Sequence, residues 1–379
     1  MNHLNRPVMQ NTISSKLAST KGHPAGFDYL RLFLASEVLV WHTVLMTHGL
    51  EVQNEILNSS PYRAIPSLIL PMFFALSGFL VAGSLDRSKS VFDFFCLRLL
   101  RIYPALCLVV LWTALLFGPF VSTYPLDRYF SEPQFSHYFL TLIGNVQLGL
   151  PGLFYENPFP TVVNGQLWTI PLEMICYIII GISALLGIYR KRALFLACVI
   201  FGQLIFAARP IFGAPIIWGS VPSSVLFLCF FAGSTLSLYR QYVPYRNDLA
   251  FLSALFAFGL IYIPGGSYFI ALPAAYLTVF LGLRNPYKNI IVRSGDYSYG
   301  LYLFAFPVQQ LIASSPLWSD KWYANLLLSY PITFCLAILS WHLLEKRALA
   351  LRKEVPHFHS WLRNFLSRSP LRRASNDKP

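Results

Sequence analysis

An arginine and a histidine lie eleven residues apart in the apolar segment FDYLRLFLASEVLVWHTVLMTHGL. In a helix, at 1.5 Å and 100° per residue, His42 lies ~16 Å deeper than Arg31 and only ~20° away around the axis. The two side chains then line one groove at two depths. A guanidinium is always charged and binds phosphate in a bidentate manner, whereas an imidazole transfers protons near neutral pH. The pair therefore predicts an anion site at one end of a groove and acid–base chemistry further along it.

Two more arginines, Arg98 and Arg101, lie in the segment FFCLRLLRIYPAL. They are three residues apart and so share one face of a helix. Together with Arg31 they predict a binding site for a polyanion. The alternative for all three is the ordinary excess of basic residues at the cytoplasmic ends of membrane helices. His42 has a structural alternative as well, a hydrogen bond between helices.

Glu173, in NGQLWTIPLEMICYIIIG, is the candidate partner for the histidine. It lies ~12 Å from the predicted outer edge of its helix, and His42 lies ~21 Å from the inner edge of its own. The sum of these two depths is close to the thickness of the hydrocarbon core, ~30 Å, so the two side chains should lie at similar heights in the membrane. Glu173 is therefore predicted to orient His42 or tune its protonation, with a purely structural pairing as the alternative. Glu37 lies on a different face from His42 and is expected to pair with a neighbouring helix.

Three hydroxyl residues complete the set of candidates. Ser77 lies among small residues in PMFFALSGFLVAGSL, a spacing that favours close helix packing over a nucleophilic role. Tyr299 and Tyr302 are one helical turn apart in GDYSYGLYLFAFPV, where their hydroxyls are candidates for substrate contact or for interfacial anchoring. The six cysteines lie in apolar segments, without CxxC pairs or zinc-like histidine spacing, so neither a metal nor a disulfide is expected.

The elements that must position these residues are membrane helices. Of the 379 residues, 55% are hydrophobic and only 12% are charged, which predicts an all-α polytopic membrane protein. The formal charge of +13 is spread between apolar runs rather than gathered on one surface, so a nucleic-acid partner is not expected. Apolar runs of suitable length predict ten spans, near 28–49, 64–85, 95–119, 165–187, 193–209, 216–239, 249–263, 268–283, 297–314 and 323–345. The segment 137–154 is a candidate for an eleventh, interfacial element.

Basic residues are distributed unequally between alternate connections of these spans. One set holds most of them, including those of both termini, and the other set holds only Arg63, Arg128, Arg209 and Lys321. Because lysine and arginine accumulate in cytoplasmic loops, both termini are predicted to be cytoplasmic. The chain then divides into a polar N-terminal segment (1–26), without a cleavable signal peptide, a transmembrane domain (27–345) and a basic tail (346–379). The long outer loop, about 120–164, is predicted to be a lid or an acceptor-binding element.

These motifs, in this order, resemble the acyltransferase-3 family of integral membrane O-acyltransferases, from about Phe27 to Arg347. The resemblance implies about ten core helices and transfer of an acyl group, usually acetyl from cytoplasmic acyl-CoA, to a hydroxyl of a sugar or another acceptor. It implies that His42 is the catalytic histidine. The residues it assigns to the phosphorylated donor are Arg31, Arg98 and Arg101, and those that match further motif positions are Ser77, Glu173, Tyr299 and Tyr302.

The chain departs from the family pattern at two points. Many members have a histidine where this chain has Ala305, so a role for that second histidine is absent. Glu345 is followed by Lys346 in place of a short proline-containing ending. No appended esterase-like domain is expected.

The resemblance leads to one mechanism, and two other classes of function stay open. The phosphates of acetyl-CoA dock on the three arginines, the pantetheine arm runs toward His42, and an acceptor hydroxyl arrives from the outer side. His42 acts as general base on that hydroxyl or carries the acyl group itself. The expected acceptor is a surface or lipid-linked carbohydrate, and the expected location is the plasma membrane, the inner membrane in a bacterium. One alternative is a transporter or flippase with a His/Glu relay and no acyl chemistry, although no inverted repeat supports it. The other is a membrane-embedded structural or sensory subunit.

Overall fold

The structure, a computed structural model, describes residues 11–208 and 222–360. Every named regular element in these two ranges is a helix, which confirms the all-α prediction for this part of the chain. Most of the basic tail, the basic residue Arg209 and the adjoining ends of the two spans predicted at 193–209 and 216–239 lie outside the described residues.

Ten helices of 12 or more residues occupy the described ranges, one at each predicted span. Five of them, α1 to α4 and α10, are long and apolar enough to cross a membrane, in agreement with a membrane protein. The total of ten crossings and the cytoplasmic termini stay predictions. The helices are α1 (Ala25–Ser59), α2 (Ala64–Arg87), α3 (Val91–Val121), α4 (Gly165–Leu185), α5 (Arg192–Ala208), α6 (Ser223–Leu238), α7 (Asn247–Leu260), α8 (Ala271–Gly282), α9 (Ser298–Ala313) and α10 (Trp322–Lys353).

Among the described helices, α2 and α6 pack most extensively against each other. A Cβ atom on Gly78 would lie 1.9 Å from the carbonyl oxygen of Phe230, and one on Gly233 would lie 2.0 Å from that of Ala75. The two backbones are therefore in direct contact, as small residues in membrane helices permit. The close packing predicted for this segment is confirmed at Gly78, whereas Ser77, the residue before it, faces α4.

Gly49 interrupts α1 with a φ of +80°, a conformation that glycine adopts without steric cost. A Cβ atom there would also lie 2.9 Å from the carbonyl oxygen of Pro158, in the long loop. The span predicted at 28–49 thus ends at a kink, and residues 50–59 continue as a second helical segment.

The loop between α3 and α4 is packed rather than open. The Tyr129 and Tyr138 side chains are fully buried, and the Tyr129 hydroxyl donates to the Ala114 carbonyl of α3 at 2.9 Å. The Gln310 amide of α9 donates to two loop carbonyls at 2.7 Å. Within the range 137–154, where a further interfacial element was possible, helical structure ends at Ile143. The short elements of the loop are Leu126–Ser131, Pro133–Tyr138 and the 3-10 helix Phe139–Ile143.

Candidate active site

A cavity of about 160 Å³ lies among α1, α2, α3, α4 and α9. Seven of the eight candidate residues line it, and the eighth, His42, does not. We call it the arginine cavity, because three guanidinium groups border it near the ends at which α1 and α3 begin. The seven candidates are Arg31, Ser77, Arg98, Arg101, Glu173, Tyr299 and Tyr302.

Asp296, which precedes α9, holds two of the three arginines. Its carboxylate lies 2.6 Å from the Arg101 guanidinium and 3.5 Å from that of Arg31, and Arg31 also pairs with Asp28 at 2.6 Å. Burial raises the pKa of Asp296, but the two arginines outweigh this effect and hold the pKa well below its usual range. The carboxylate is therefore ionised, and it ties the beginnings of α1, α3 and α9 together.

Arg98 differs from the other two arginines in its partners. Within the described ranges its guanidinium donates to the Ser84 hydroxyl at 3.1 Å and lies 6.0 Å from the centre of the Tyr177 ring, but it forms no ion pair. Its Nε atom is buried and has no hydrogen-bond partner there. The positive charge of Arg98 is thus the least compensated of the three, and it is the one most available to an anionic ligand.

Glu173 belongs to the arginine cavity and not to the surroundings of His42. Its Oε1 atom accepts hydrogen bonds from the Ser77 hydroxyl at 2.9 Å and from the Tyr177 hydroxyl, one helical turn further along α4. No hydrogen bond joins Glu173 to His42 in the described structure, contrary to the expected pairing. Similar depth in a membrane fixes only the height of a side chain, and here the packing of α2 against α4 directs Glu173 toward Ser77.

His42 lines a second cavity, of about 180 Å³, which we call the His42 cavity. Its Nδ1 atom is buried without a hydrogen-bond partner among the described residues, and its ring packs edge-on against Phe306 with centroids 5.3 Å apart. The cavity extends toward the ends at which α2 and α4 begin, away from the three arginines. Its lining consists of Val38, Trp41, His42, Gln53, Leu57, Pro66, Ser67, Ile69, Leu70, Gln166, Trp168 and Tyr302.

The two cavities meet at Leu70 and Tyr302, which line both. The Tyr302 hydroxyl donates to the Gln166 carbonyl at 2.7 Å and shares a 2.7 Å hydrogen bond with the Thr169 hydroxyl. The Tyr299 hydroxyl donates to a carbonyl of α3 at 3.2 Å. Both tyrosine hydroxyls, the predicted candidates for substrate contact, are thus bonded within the protein, and the Tyr302 side chain stands between the cavities.

Sequence reasoning passed over two residues of this site, although each carried a signal. Asp296 immediately precedes the YSYGLYL segment at the end of the bundle where the arginines cluster, and Tyr177 lies one helical turn from Glu173. For Glu37, by contrast, the expected partner on a neighbouring helix is not found among the described residues, where this half-buried side chain forms no ion pair or hydrogen bond.

The chain is similar to a known protein family and to two named proteins over most of its length. The acyltransferase-3 family, described as an acyltransferase domain, matches residues 25–345. The O-acetyl transferase of Shigella phage Sf6 is 30% identical over 340 residues, which cover 85% of this chain and 95% of the phage protein. Nodulation protein 10 of Rhizobium leguminosarum bv. viciae is 30% identical over 369 residues, covering 88% of this chain and 95% of that protein. No solved structure matches the chain.

Proposed function

Because the chain belongs to the acyltransferase-3 family of membrane O-acyltransferases, we propose that it transfers an acetyl group from cytoplasmic acetyl-CoA to a hydroxyl of a surface or lipid-linked carbohydrate. The observation that carries this proposal is the pair of adjoining cavities, one bordered by three arginines and the other lined by a histidine whose Nδ1 has no hydrogen-bond partner among the described residues. Two reactants that enter the protein from opposite ends of the helix bundle need two such adjoining cavities. The name of the phage relative, an O-acetyl transferase, supports acetyl as the group transferred.

The arginine cavity binds the donor in this proposal. Coenzyme A carries phosphate groups, and a guanidinium offers five N–H donors in a planar fork that matches them. Arg98 supplies the least compensated charge, while Arg31 and Arg101 are held in place by Asp296. The arginine-lined end then faces the cytoplasm of a multi-pass plasma membrane protein, a bacterial inner membrane protein if the source is a bacterium, in agreement with the unequal distribution of basic residues.

The His42 cavity receives the acceptor, and the reaction takes place where the cavities meet. His42 removes the proton from the acceptor hydroxyl as that oxygen attacks the thioester carbonyl. The C–S bond breaks, a C–O ester bond forms, and the proton passes from His42 to the departing thiolate. Glu173 acts on the donor side, where its carboxylate orders the Ser77 and Tyr177 hydroxyls. In the alternative course, His42 first accepts the acyl group and then passes it to the hydroxyl.

The experiment that tests this function uses the purified protein in lipid nanodiscs with labelled acetyl-CoA and a panel of glycosides. We expect labelled glycoside ester and an equal amount of free CoA. Replacing His42 by alanine should reduce the transfer rate by about 10²- to 10⁴-fold, the usual contribution of a general base.

His48→Ala is the matched control, because His48 lies on the same helix, is exposed, and lines neither cavity. It should leave the rate unchanged. An inserted, folded His42→Ala protein that transfers acetyl at the original rate would contradict the assignment of His42. The absence of both labelled ester and free CoA with the unaltered protein would contradict the proposed function itself.

A further inference from the structure

Three residues that line the His42 cavity each carry a buried polar atom without a partner within the described structure. These atoms are Nδ1 of His42, Oγ of Ser67 and Oε1 of Gln166. The orientation of the Gln166 amide is fixed, because its Nε2 donates to the carbonyl of Leu303 at 2.6 Å and to Asn164 at 3.1 Å. Buried polar groups without partners are costly, so three of them on residues from three different helices around one cavity favour a polar ligand there.

The chemistry of these atoms restricts the ligand. An amide oxygen only accepts, a hydroxyl donates and accepts, and an imidazole nitrogen does either. No charged side chain is found among the described residues that line the cavity, in contrast to the arginine cavity. An ionised group would enter without a counter-charge and would lose its hydration. A neutral ligand with several hydroxyls meets these conditions.

The shape of the cavity favours a ring. Trp41 and Trp168 both line it, and Trp168 is 41% exposed at its rim. An indole offers a flat apolar face against which the C–H face of a pyranose can pack, with its own N–H available to a hydroxyl. At about 180 Å³ the cavity is more than ten times the volume that one water molecule needs, so it admits a small ring compound.

The kink at Gly49 completes the enclosure. On a straight helix Gln53 would lie ~16 Å from His42, too far for both to line one small cavity. Because α1 changes direction at Gly49, Gln53 and Leu57 return over the cavity that His42 lines. The cavity therefore has a wall on the side away from the donor and can select its ligand.

We infer that the His42 cavity is a binding site for a single uncharged pyranose unit of the acceptor, packed on Trp168 and hydrogen-bonded to Ser67 and Gln166. This inference rests on the proposed function and goes beyond it by assigning the acceptor residues and by excluding acidic sugars. The acceptor hydroxyl is the one that this pose directs toward His42.

The test measures acetyl transfer from acetyl-CoA to methyl hexopyranosides, to the corresponding methyl hexuronides and to glycerol. The neutral glycosides should be accepted, and the uronides should react at least about tenfold less efficiently, because the carboxylate has no counter-charge in the cavity. Glycerol, which has hydroxyls but no ring face, should also be a poor acceptor.

Two variants and two matched controls locate the site. Ser67→Ala should raise the acceptor KM roughly two- to tenfold, the effect of one hydrogen bond, and Trp168→Ala should do so to a similar extent. Ser329→Ala removes another buried, unpartnered hydroxyl that lies outside the cavity, and Trp322→Ala removes another exposed indole, so neither should change the KM. An unchanged acetyl-CoA KM in all four variants shows that the proteins are folded.

The outcomes separate this inference from the proposed function. Acetyl transfer that is as efficient with uronides or glycerol as with neutral glycosides, or that is insensitive to Ser67→Ala and Trp168→Ala, overturns the inference and leaves the acyltransferase function intact. The absence of any acetyl transfer by the unaltered protein overturns both.

Discussion

The three arginines of the proposed donor site should respond differently to the loss of their charge. Arg98 forms no ion pair among the described residues, so Arg98→Gln removes a charge that contacts the Ser84 hydroxyl and the Tyr177 ring and interacts with the Glu173 carboxylate only at longer range. A hydrogen bond to a charged group contributes about 1.5–3 kcal/mol, which corresponds to an increase of about 10- to 150-fold in the acetyl-CoA KM. The free energy of unfolding should change little.

Arg101→Gln should have the opposite balance. It leaves the Asp296 carboxylate, whose side chain is only 17% exposed, with Arg31 at 3.5 Å as its remaining ion-pair partner. Removing one member of a buried pair costs about 3–5 kcal/mol of stability, and we expect a value near the lower end because Arg31 remains. The double variant Arg101→Gln/Asp296→Asn removes both charges and should recover much of this loss.

The assay combines acetyl-CoA kinetics with denaturant or thermal unfolding of the same nanodisc preparations. Arg87→Gln is the control, because Arg87 is an exposed arginine at the end of α2 that lines neither cavity. If Arg98→Gln left the acetyl-CoA KM unchanged while Arg101→Gln raised it without loss of stability, the assignment of anion binding to Arg98 would be refuted.

Three other results are expected. Tyr302→Phe removes the hydrogen bonds that hold this ring between the cavities. Hydrolysis of acetyl-CoA without an acceptor, measured as release of free thiol, should therefore rise several-fold. An unchanged hydrolysis rate would show that Tyr302 is not a barrier between the cavities. Asp296 has a depressed pKa in the folded protein. The stability that its carboxylate contributes should therefore be present above about pH 4, near the ordinary pKa of an aspartate, and should be lost as the pH falls further. A dependence of stability on pH identical to that of the Asp296→Asn variant would contradict this. In a cysteine-free background in intact cells, a membrane-impermeant thiol reagent should label Arg128→Cys and not Arg190→Cys, and the reverse pattern would overturn the predicted orientation.

The positions of the helices could be predicted from the sequence, because a membrane span requires an apolar run of sufficient length. Ten apolar runs predict ten helices, and each is found where the chain is described. The continuation of α1 beyond Gly49 could not be predicted in this way, because EVQNEILNS is polar and its helix lies outside the apolar run. Its placement depends on contact with the loop that carries Pro158.

The arginine cavity was predictable to a large extent, and the His42 cavity was not. Helical period and depth bring Arg31, Arg98 and Arg101 to one end of the bundle, because both quantities are local properties of the chain. Neither quantity says which helix is the neighbour of which. Glu173 therefore lines a cavity, but its hydrogen-bond partners there include Ser77 and not His42. The packing of α2 against α4 decides this, and it is a contact between residues 96 positions apart.

The ion pair between Arg101 and Asp296 has a consequence for the biogenesis of the protein. These residues are 195 positions apart, so at a synthesis rate of about 5–20 residues per second Arg101 exists for roughly 10–40 s before its partner is made. During this interval α1 and α3 carry Arg31 and Arg101 without the carboxylate that later joins them. The arginine cavity is therefore completed late, when α9 enters the bundle, and a chain arrested before residue 296 would contain most of the helices but not this assembled cavity.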